Sequence, residues 1–473
     1  MANLGSEAHI LVFPYPAQGH LLPLLDLTHN LCSHGFTITI LITPKNLPLL
    51  NPLLSSHPSI QTLLLPFPAH PSIPPGVENV KDLPAHSSPA VMICALGQLY
   101  HPLLNWFKSH SSPPVAIISD MFLGWTHHLA STLNIRSLVF SPSGALALSV
   151  IYSVWHDMPE IKENDVVSFS RLPNCLKYPW WQVSPMYRSY VKGDPNSEFL
   201  KDSFRANFTS WGLVVNSFTE LEGLYLDHFR RELGHDRVWA VGPTFLTQGS
   251  ITEERGGPNS IPLDRIVTWL DNCEENKVVY ICFGSQTSLT NNQMEEIASS
   301  LEISGVNFVW CVKKTEENKK YNKIPSGFED RVAGRGLVIR GWAPQVTILS
   351  HKGIGAFLTH CGWNSSLEAL IAGVPMIAWP MGADQFSNAT LLVDELGVAV
   401  RACEGVNTVP NSVELANTLM ESVKDNRVRK ERAQKISKHA LNAVKNNGSS
   451  TKDFDKLVHN LISLKENDLL IPN

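Results

Sequence analysis

The sequence predicts an α/β protein with two doubly wound domains joined by a linker. Three observations support this prediction. Short β-rich runs alternate with helical patterns, one stretch rich in Gly, Pro, Ser and Thr interrupts the alternation, and the chain has 473 residues. Alternation of strands and helices is typical of βαβ units and a parallel sheet. The length of 473 residues fits two or three domains of roughly 100–200 residues each.

The first half of the chain contains five runs with strand character. They are Ile10–Phe13, Phe36–Thr43, Val115–Ser119, Leu138–Phe140 and Leu213–Asn216. Between the first two runs, apolar residues recur at helical spacing over Leu21–Ser33, and Gly35 provides a stop signal. Residues 155–205 have weak periodicity and many aromatic residues and prolines, so we expect an excursion of loops and helices there. The pattern predicts a first domain over residues 1–241.

The break in the alternation runs from Gly242 to Pro262, where the sequence reads GPTFLTQGSITEERGGPNSIP. Clusters of Gly, Pro, Ser and Thr between periodic segments are typical of loops. We therefore assign residues 242–262 to an interdomain linker.

Five further strand-like runs follow the linker, with helical patterns between them. They are Val278–Phe283, Asn307–Val312, Leu337–Arg340, Ala356–Thr359 and Met376–Trp379. The pattern is helical throughout residues 412–464. We assign residues 263–450 to a second domain. Ligands bind outside the carboxyl ends of the strands in open α/β sheets, so two such domains would enclose a cleft between them.

Composition excludes several classes of partner. A net charge of −5 and a pI of about 6.4 leave no basic field for nucleic acid or an anionic membrane. No window offers about 20 uninterrupted apolar residues, so no membrane span is expected. The eight cysteines are scattered without a C-x-x-C pair, which argues against a disulfide framework and a zinc site. We expect a reduced cytoplasmic protein and a monomer.

The common nucleotide fingerprints are missing. The nearest match to a dinucleotide fingerprint, Gly353-Ile354-Gly355-Ala356-Phe357-Leu358, lacks the third glycine and precedes a strand instead of following one. The phosphate-binding motif G-x-x-x-x-G-K-[ST] is absent as well. Both observations disfavour a dehydrogenase and a P-loop enzyme.

The most informative segment is Trp342–Gln385, WAPQVTILSHKGIGAFLTHCGWNSSLEALIAGVPMIAWPMGADQ. Within it, the strand-like run Ala356–Thr359 leads into small polar residues, and a helical pattern continues to Gly373, a suitable C′ glycine. The N–H groups at such a helix start lack intrahelical partners and form an anion site. A simple capped helix start is the alternative interpretation.

This segment resembles the 44-residue signature box of the plant secondary-metabolite UDP-glycosyltransferases, which are family 1 glycosyltransferases with the GT-B fold. It has the same length, begins with WAPQ, contains HCGWNS, and continues through GVP and WP to a terminal DQ. Outside the box, the family's strand end is present as Cys282-Phe283-Gly284-Ser285, and its P-x-x-G-H and V-G-P motifs match residues 16–20 and 241–243. The resemblance covers nearly the whole chain and implies two Rossmann-like domains facing a cleft, with residues 451–473 forming a helix that packs back on the first domain.

The resemblance implies a UDP-sugar donor, bound as a co-substrate. It implies that Trp342 stacks on the uracil, that the backbone of Ala343 pairs with the base edge, and that Gln345 and Glu368 hold the ribose hydroxyls. No cofactor and no metal are expected, because the sequence shows no metal-ligand cluster and a helix start would stabilise the phosphates.

The resemblance also implies residues for the rest of the donor. Those for the two phosphates are Ser285, His360, Asn364 and Ser365, and those for the sugar hydroxyls are Trp363, Asp384 and Gln385. A terminal Gln in the box goes with UDP-glucose in this family, and an amide can donate to one hydroxyl and accept from its neighbour. Glucose is therefore the expected sugar, with UDP-xylose, UDP-rhamnose and UDP-galactose as alternatives.

Two residues are candidates for general-base catalysis. His20 follows the first strand-like run at a helix start, and Asp120 ends the apolar run Val115–Ser119. A phenolic hydroxyl has an ordinary pKa of about 10 and needs a base, and histidine has the ordinary pKa nearest neutrality. The family places its histidine–aspartate dyad at these two positions. From the residues alone, a turn-capping role for His20 and a helix N-cap role for Asp120 stay open.

The expected reaction is a direct displacement. The deprotonated acceptor oxygen attacks the anomeric carbon opposite UDP, so an α-linked UDP-sugar gives a β-glycoside. The candidate walls of the acceptor pocket are Tyr15, Phe122, Pro142, Ser143 and Leu146. Apolar walls suit phenolic acceptors such as flavonoids or hydroxybenzoates. Two alternatives to a glycosyltransferase stay open: a non-catalytic UDP-sugar-binding protein, and a UDP-sugar hydrolase or epimerase.

Overall fold

The computed structural model describes residues 8–84, 87–160, 165–248, 255–314, 321–424 and 426–468. The chain divides into two compact units, Met1–Ser250 with Asn442–Asn473, and Ile251–Leu441. The first boundary falls inside the predicted linker. The return to the first unit at Asn442 precedes the predicted boundary at residue 451, within the last turn of a helix that spans Arg427–Ala443.

The first unit is built on a parallel sheet. Its strands within the described residues are β1 His9–Phe13, β2 Thr37–Ile42, β3 Gln61–Leu64, β4 Ala116–Asp120, β5 Arg136–Ser141, β6 Val166–Phe169, β7 Leu176–Pro179, β8 Gly212–Val215 and β9 Val238–Ala240. Seven strands are ordered β3-β2-β1-β4-β5-β8-β9, and β6 and β7 form an antiparallel hairpin. The sequence did not predict β3, β6, β7 and β9. The edge strand β3 reads QTLL and is largely exposed, so it shows neither the continuous apolar run nor the alternation of a predicted strand.

Helices cover this sheet. In chain order they are α1 Gln18–Ser33, α2 Asn51–Ser56, α3 Ala90–Gly97, α4 Tyr100–Ser109, α5 Thr126–Thr132, α6 Ala145–Asp157, α7 Pro185–Arg188, α8 Pro195–Ala206 and α9 Thr219–Leu233. Short 3₁₀ helices lie at Pro44–Leu50, Val80–Asp82, Met121–Leu123, Pro173–Cys175, Trp180–Gln182, Asn207–Thr209 and Thr244–Gln248. Residues 155–205 hold the β6–β7 hairpin and helices α7 and α8. Trp155 stacks on Phe204 there, with ring centroids 4.9 Å apart.

The second unit repeats the architecture. Its described strands are β10 Val278–Cys282, β11 Asn307–Val312, β12 Gly336–Arg340, β13 Ile354–Thr359, β14 Met376–Ala378 and β15 Ala399–Arg401. They pair in parallel in the order β12-β11-β10-β13-β14-β15. The helices that follow the first unit's α9 are α10 Leu263–Asp271, α11 Asn291–Ser304, α12 Phe328–Arg331, α13 Gln345–Ser350, α14 Trp363–Ala372, α15 Gln385–Thr390, α16 Ser412–Lys424 and α17 Arg427–Ala443, with a π-helical turn at Leu391–Glu395. The prediction of two doubly wound α/β domains is confirmed.

Packing explains one of the glycines that imitate a dinucleotide fingerprint. Gly355 lies in β13, and a Cβ atom there would come within 2.1 Å of the Asn276 carbonyl oxygen. Because that oxygen belongs to the backbone, it cannot move aside cheaply. Close approach of two backbone segments, and no nucleotide, accounts for this glycine.

Helix α18, Ser449–Asp468, belongs to the first unit. Ser450 Oγ donates to the Gly242 carbonyl oxygen at 2.5 Å, and Asp453 Oδ2 accepts from Ala240 N at 3.1 Å. Leu457 and Leu461 are fully buried in the core that surrounds β1, β2 and β4. The helix is thus an integral layer of the first unit, and its first residues, Ser449 and Ser450, belong there and not to the second domain.

Replacing Leu457 by alanine should lower the free energy of unfolding by about 2–5 kcal/mol, because the change leaves a cavity in a packed core. Denaturant unfolding followed by circular dichroism measures this. The matched control is Lys452→Ala on the exposed side of the same helix, which should change the value by no more than about 0.5 kcal/mol. Equal effects of the two substitutions would contradict the packing role.

Candidate active site

The predicted catalytic residues lie at one edge of the first sheet. β1 and β4 pair with Phe13 opposite Ser119, and β4 and β5 pair with Asp120 opposite Phe140. These three parallel strands therefore end side by side, at the edge where ligands bind in open α/β sheets. His20, in the first turn of α1, lies beyond the end of β1.

His20 and Asp120 form a direct pair. His20 Nδ1 donates to Asp120 Oδ2 at 2.9 Å; the histidine side chain is 17% exposed and the aspartate side chain is 0% exposed. A carboxylate accepts only, so this bond places the proton on Nδ1 and leaves Nε2 as an acceptor in the neutral ring. Nε2 makes no hydrogen bond with any described residue. The helix N-cap is Ala17 and α1 has no side-chain cap, so His20 is not a capping residue.

Asp120 also caps the next element. Its Oδ1 accepts from Phe122 N at 2.9 Å and opens the short helix Met121–Leu123. The N-cap interpretation and the catalytic interpretation of Asp120 are therefore compatible, since each uses a different carboxylate oxygen.

Two of the predicted acceptor-pocket residues surround the histidine. The His20 and Phe122 rings are 4.5 Å apart, and Tyr15 meets them edge-on at 5.4 and 5.1 Å. The Tyr15 hydroxyl donates to the Pro89 carbonyl oxygen at 2.9 Å. Burial and the nearby Asp120 carboxylate hold the pKa of Tyr15 well above its ordinary value. Tyr15 is therefore a neutral support for the histidine ring, and it is 1% exposed.

The other three predicted acceptor residues follow β5. Pro142, Ser143 and Leu146 are buried, and Glu222 anchors the start of α6 beside them. Its two carboxylate oxygens accept from Ala145 N at 2.9 Å and Leu146 N at 2.8 Å. Sequence reasoning missed Glu222, because an acidic residue in the first turn of a helix is ordinarily solvated. No contact joins Pro142, Ser143 or Leu146 to His20 among the hydrogen bonds and ring pairs of the described residues.

In the second unit, strands β10 and β13 end side by side, with Cys282 opposite Thr359. The His360 ring lies between Gly284 and Gly362, where Cβ atoms would come within 2.7 and 2.5 Å of its Nε2. A side chain at either position would displace the His360 ring from this place. Ser285, predicted to contact phosphate, follows Gly284 directly.

His360 carries an unsatisfied atom. Its Nδ1 is buried and has no hydrogen-bond partner among the residues that the structure describes. Burial lowers the pKa of His360 to about 4, so the ring is neutral near neutral pH. Buried polar atoms in proteins are normally paired, so this nitrogen is suited to a group that the protein itself does not supply.

Helix α14 opens beside this histidine. Gly362 at the N-cap offers no side-chain cap, and Gly373 ends the helix with a φ of 68°, as the sequence predicted. Asn388 Nδ2 donates to the Cys361 carbonyl oxygen at 2.9 Å and holds the strand-to-helix turn. A helix N-terminus without its own acceptor is an anion site.

The implied ribose and phosphate residues form one network. Gln345 Nε2 donates to Ser365 Oγ at 2.9 Å and to Glu368 Oε2 at 2.7 Å, and its Oε1 accepts from the Tyr280 hydroxyl at 3.3 Å. The amide of Gln345 is thus engaged on both sides and orients Glu368. Tyr280, on β10, is a supporting residue that the sequence did not point to.

Gln385 differs from the expectation that its amide both donates and accepts at the sugar. Its Oε1 accepts from Met381 N at 2.9 Å and Gly382 N at 3.0 Å. Two backbone donors identify that atom as the oxygen, which leaves the NH₂ group as the donor for a ligand. Asp384 is the N-cap of this helix, α15, while Trp363 and Asn364 lie in the first turn of α14.

Ala343 has backbone groups available for a base edge. Its carbonyl oxygen accepts from Gln345 N at 2.8 Å, which uses one of two lone pairs. Its N–H has no hydrogen-bond partner in the ranges that the structure describes. Trp342 precedes it directly.

The described residues show neither a metal-ligand cluster nor a membrane-spanning helix. No group of three or more His, Cys, Asp or Glu side chains there is arranged to hold a metal ion. All eight cysteines are free thiols. No helix in the described ranges has both the length and the apolar character that a membrane crossing requires.

Two doubly wound units, one of them with an uncapped helix start beside a buried histidine, are compatible with an enzyme that binds a nucleotide sugar. The sequence model described as "UDP-glucoronosyl and UDP-glucosyl transferase" matches residues 258–444, and that described as "Glycosyltransferase, N-terminal domain" matches residues 6–245. UDP-glycosyltransferase 89B2 of Stevia rebaudiana is 57% identical, over 98% of this chain and 99% of that protein. Flavonol 3-O-glucosyltransferase UGT89B1 of Arabidopsis thaliana is 54% identical, over 98% of each.

The fold matches solved structures of the same kind. Crystal structures of UGT89C1 from Arabidopsis thaliana with UDP-L-rhamnose and with quercetin superpose with TM-scores of 0.80 and 0.78 at 38% and 37% identity. They cover 96% of this chain, and 99% and 100% of their own. The chain therefore belongs to the plant family 1 UDP-glycosyltransferases and has the GT-B fold.

Proposed function

We propose that this enzyme transfers glucose from UDP-glucose to a hydroxyl of a phenolic acceptor and inverts the anomeric configuration. The observation that carries the proposal is the His20–Asp120 pair, in which Nδ1 is bonded to a buried carboxylate and Nε2 is left without a described partner. That arrangement is typical of a general base whose tautomer and orientation are set by a third group.

The reaction is a single displacement. Nε2 of His20 takes the proton of the acceptor hydroxyl as its oxygen forms a bond to the anomeric carbon. The bond from that carbon to the UDP oxygen breaks, and UDP leaves with the electron pair. Asp120 stabilises the imidazolium that forms. Because attack occurs opposite the leaving group, an α-linked donor gives a β-glycoside.

The second unit supplies the donor site. The buried Nδ1 of His360 and the uncapped start of α14 match the negative charge of a diphosphate. Glu368, oriented by Gln345, offers a carboxylate to the ribose hydroxyls. Ser285, Asn364 and Ser365 complete the proposed phosphate contacts.

The proposed acceptor is a flavonol or a related phenol. The partly exposed Phe122 ring beside His20 favours a flat aromatic molecule, and the buried Tyr15 ring supports both from behind. One close relative is named for flavonol glucosylation, and UGT89C1 was crystallised with quercetin. These names support the acceptor class by similarity.

The identity of the donor sugar is the most specific part of the proposal. The Gln385 NH₂ group, with Trp363 and Asp384, suits glucose, whereas the UDP-L-rhamnose complex of UGT89C1 makes rhamnose the main alternative. Turnover of one flavonol with UDP-glucose, UDP-xylose, UDP-rhamnose and UDP-galactose should be fastest with UDP-glucose. Mass spectrometry identifies the sugar, and the proton coupling at the anomeric carbon identifies a β-glycoside. A preference for another sugar would overturn the donor assignment, and hydrolysis of the donor without glycoside formation would overturn the transferase.

A further inference from the structure

Trp342, the proposed stacking partner of the uracil, is held by residues far earlier in the chain. Ser260 Oγ accepts from Trp342 N at 2.7 Å, and Ser260 N donates to the Trp342 carbonyl oxygen at 2.9 Å. The indole Nε1 donates to the Arg255 carbonyl oxygen at 3.2 Å. All three residues belong to the second unit, although residues 255 and 260 were predicted to be linker.

Gly257 lies on one side of the same indole. A methyl group built on Gly257 would lie 3.7 Å from Cγ and Cδ2 and 3.9 Å from Cε2 of Trp342. Nearly equal distances to these three ring atoms place that methyl group over the ring face and not at the ring edge. The φ of Gly257 is 155°, a value that L residues rarely adopt, so glycine permits the backbone conformation found beside the ring.

A second glycine allows Ser260 to approach. Gly341 precedes Trp342 with a φ of 116°, and a Cβ atom there would come within 2.2 Å of Ser260 Oγ. The hydrogen bond between Ser260 and Trp342 therefore depends on the absence of a side chain at residue 341.

We infer that Arg255, Gly257 and Ser260 form a tryptophan clasp, which fixes Trp342 so that the face of its indole opposite Gly257 receives the uracil. The inference rests on the proposed donor role of Trp342. A planar ring has two faces for stacking, and the backbone of Gly257 lies on the side of one of them. The hydrogen bonds to the Trp342 backbone and Nε1 order the ring before the donor binds. Binding then costs less conformational entropy, which is the usual benefit of preorganisation.

The substitution Ser260→Ala tests the clasp, because it removes the acceptor of Trp342 N and keeps the Ser260 N–H bond. We expect the Kd for UDP and the KM for the UDP-sugar to rise by about threefold to tenfold, the effect of one hydrogen bond. The kcat at saturating donor should not change. Ser260→Thr, which keeps a hydroxyl, should stay close to the unmodified enzyme.

The matched control is Ser304→Ala on α11, where the hydroxyl donates to the Leu301 carbonyl oxygen at 3.4 Å and lies outside the clasp. It should leave the Kd for UDP unchanged. Inorganic pyrophosphate serves as a second probe, because it lacks the base. Its inhibition constant should be the same in Ser260→Ala as in the unmodified enzyme. A general loss of structure would instead weaken the binding of both UDP and pyrophosphate.

Each other outcome overturns a specific step. An unchanged or improved Kd for UDP in Ser260→Ala would show that the clasp does not present the ring to the base. Parallel losses for UDP and pyrophosphate would make Ser260 merely structural. Trp342→Ala distinguishes failure of the clasp from failure of the proposed donor role. If Trp342→Ala leaves the Kd for UDP unchanged, the donor role of Trp342 fails. If Trp342→Ala raises the Kd for UDP and Ser260→Ala does not, only the clasp fails.

Discussion

Replacing His20 by alanine should lower kcat by about 10²–10⁴-fold, the usual contribution of a general base, while the Kd for UDP stays unchanged. The reason is that His20 Nε2 is the acceptor proposed to take the proton of the substrate hydroxyl, whereas the proposed UDP contacts all belong to the second unit. Steady-state kinetics with a flavonol measures the first effect, and calorimetric titration with UDP measures the second.

The first unit contains its own control for this substitution. His128 Nε2 bonds to Asp202 Oδ2 at 2.8 Å, but these side chains are 47% and 65% exposed. His128→Ala removes the same kind of pair from the surface and should leave kcat unchanged. If His20→Ala keeps full turnover, or if His128→Ala loses as much, His20 is not the base.

Asp120→Asn should lower kcat by about tenfold to a hundredfold, less than the loss from His20→Ala. The amide oxygen can still cap Phe122 N, but the NH₂ group that replaces the other oxygen cannot accept from His20 Nδ1–H. The ring is then held in the wrong tautomer, and the imidazolium formed during reaction loses its counter-charge. The pH dependence of kcat/KM should also change, because it reports the ionisation of the base in the free enzyme.

Comparison with Asp120→Ala separates the two roles of this carboxylate. Alanine removes the cap as well, so it should further lower the free energy of unfolding by about 0.5–2 kcal/mol. If Asp120→Asn has normal turnover and an unaltered pH profile, and only Asp120→Ala is impaired, then Asp120 is a helix cap and nothing more.

Local sequence was sufficient for the elements that position His20 and Asp120. The apolar runs that became β1 and β4 are buried over their whole length, so their boundaries are visible as continuous apolar segments. Parallel pairing then brings their ends to one edge, although a hundred residues separate them. The edge strand β3 and the three-residue strand β9 have no such signal, because the first is exposed and the second is too short to show a period.

What the sequence could not show is which polar atoms are already in use. Gln385 looked like a free amide, but backbone donors from Met381 and Gly382 occupy its oxygen. Glu222 looked like a solvated acid, but it is 2% exposed and bonded to the start of α6. Such contacts depend on segments that meet only in the fold, and no local pattern encodes them.

Helix α18 has a consequence for the order of events during synthesis. Leu457 and Leu461 complete the core of the first unit, yet they follow the whole second unit along the chain. Domains ordinarily fold from the N-terminus as they leave the ribosome. Here the unit that carries His20 waits with part of its core open until α18 has emerged. The second unit, which is continuous in sequence, can finish first, so we expect nascent chains to expose apolar surface of the first unit for longest.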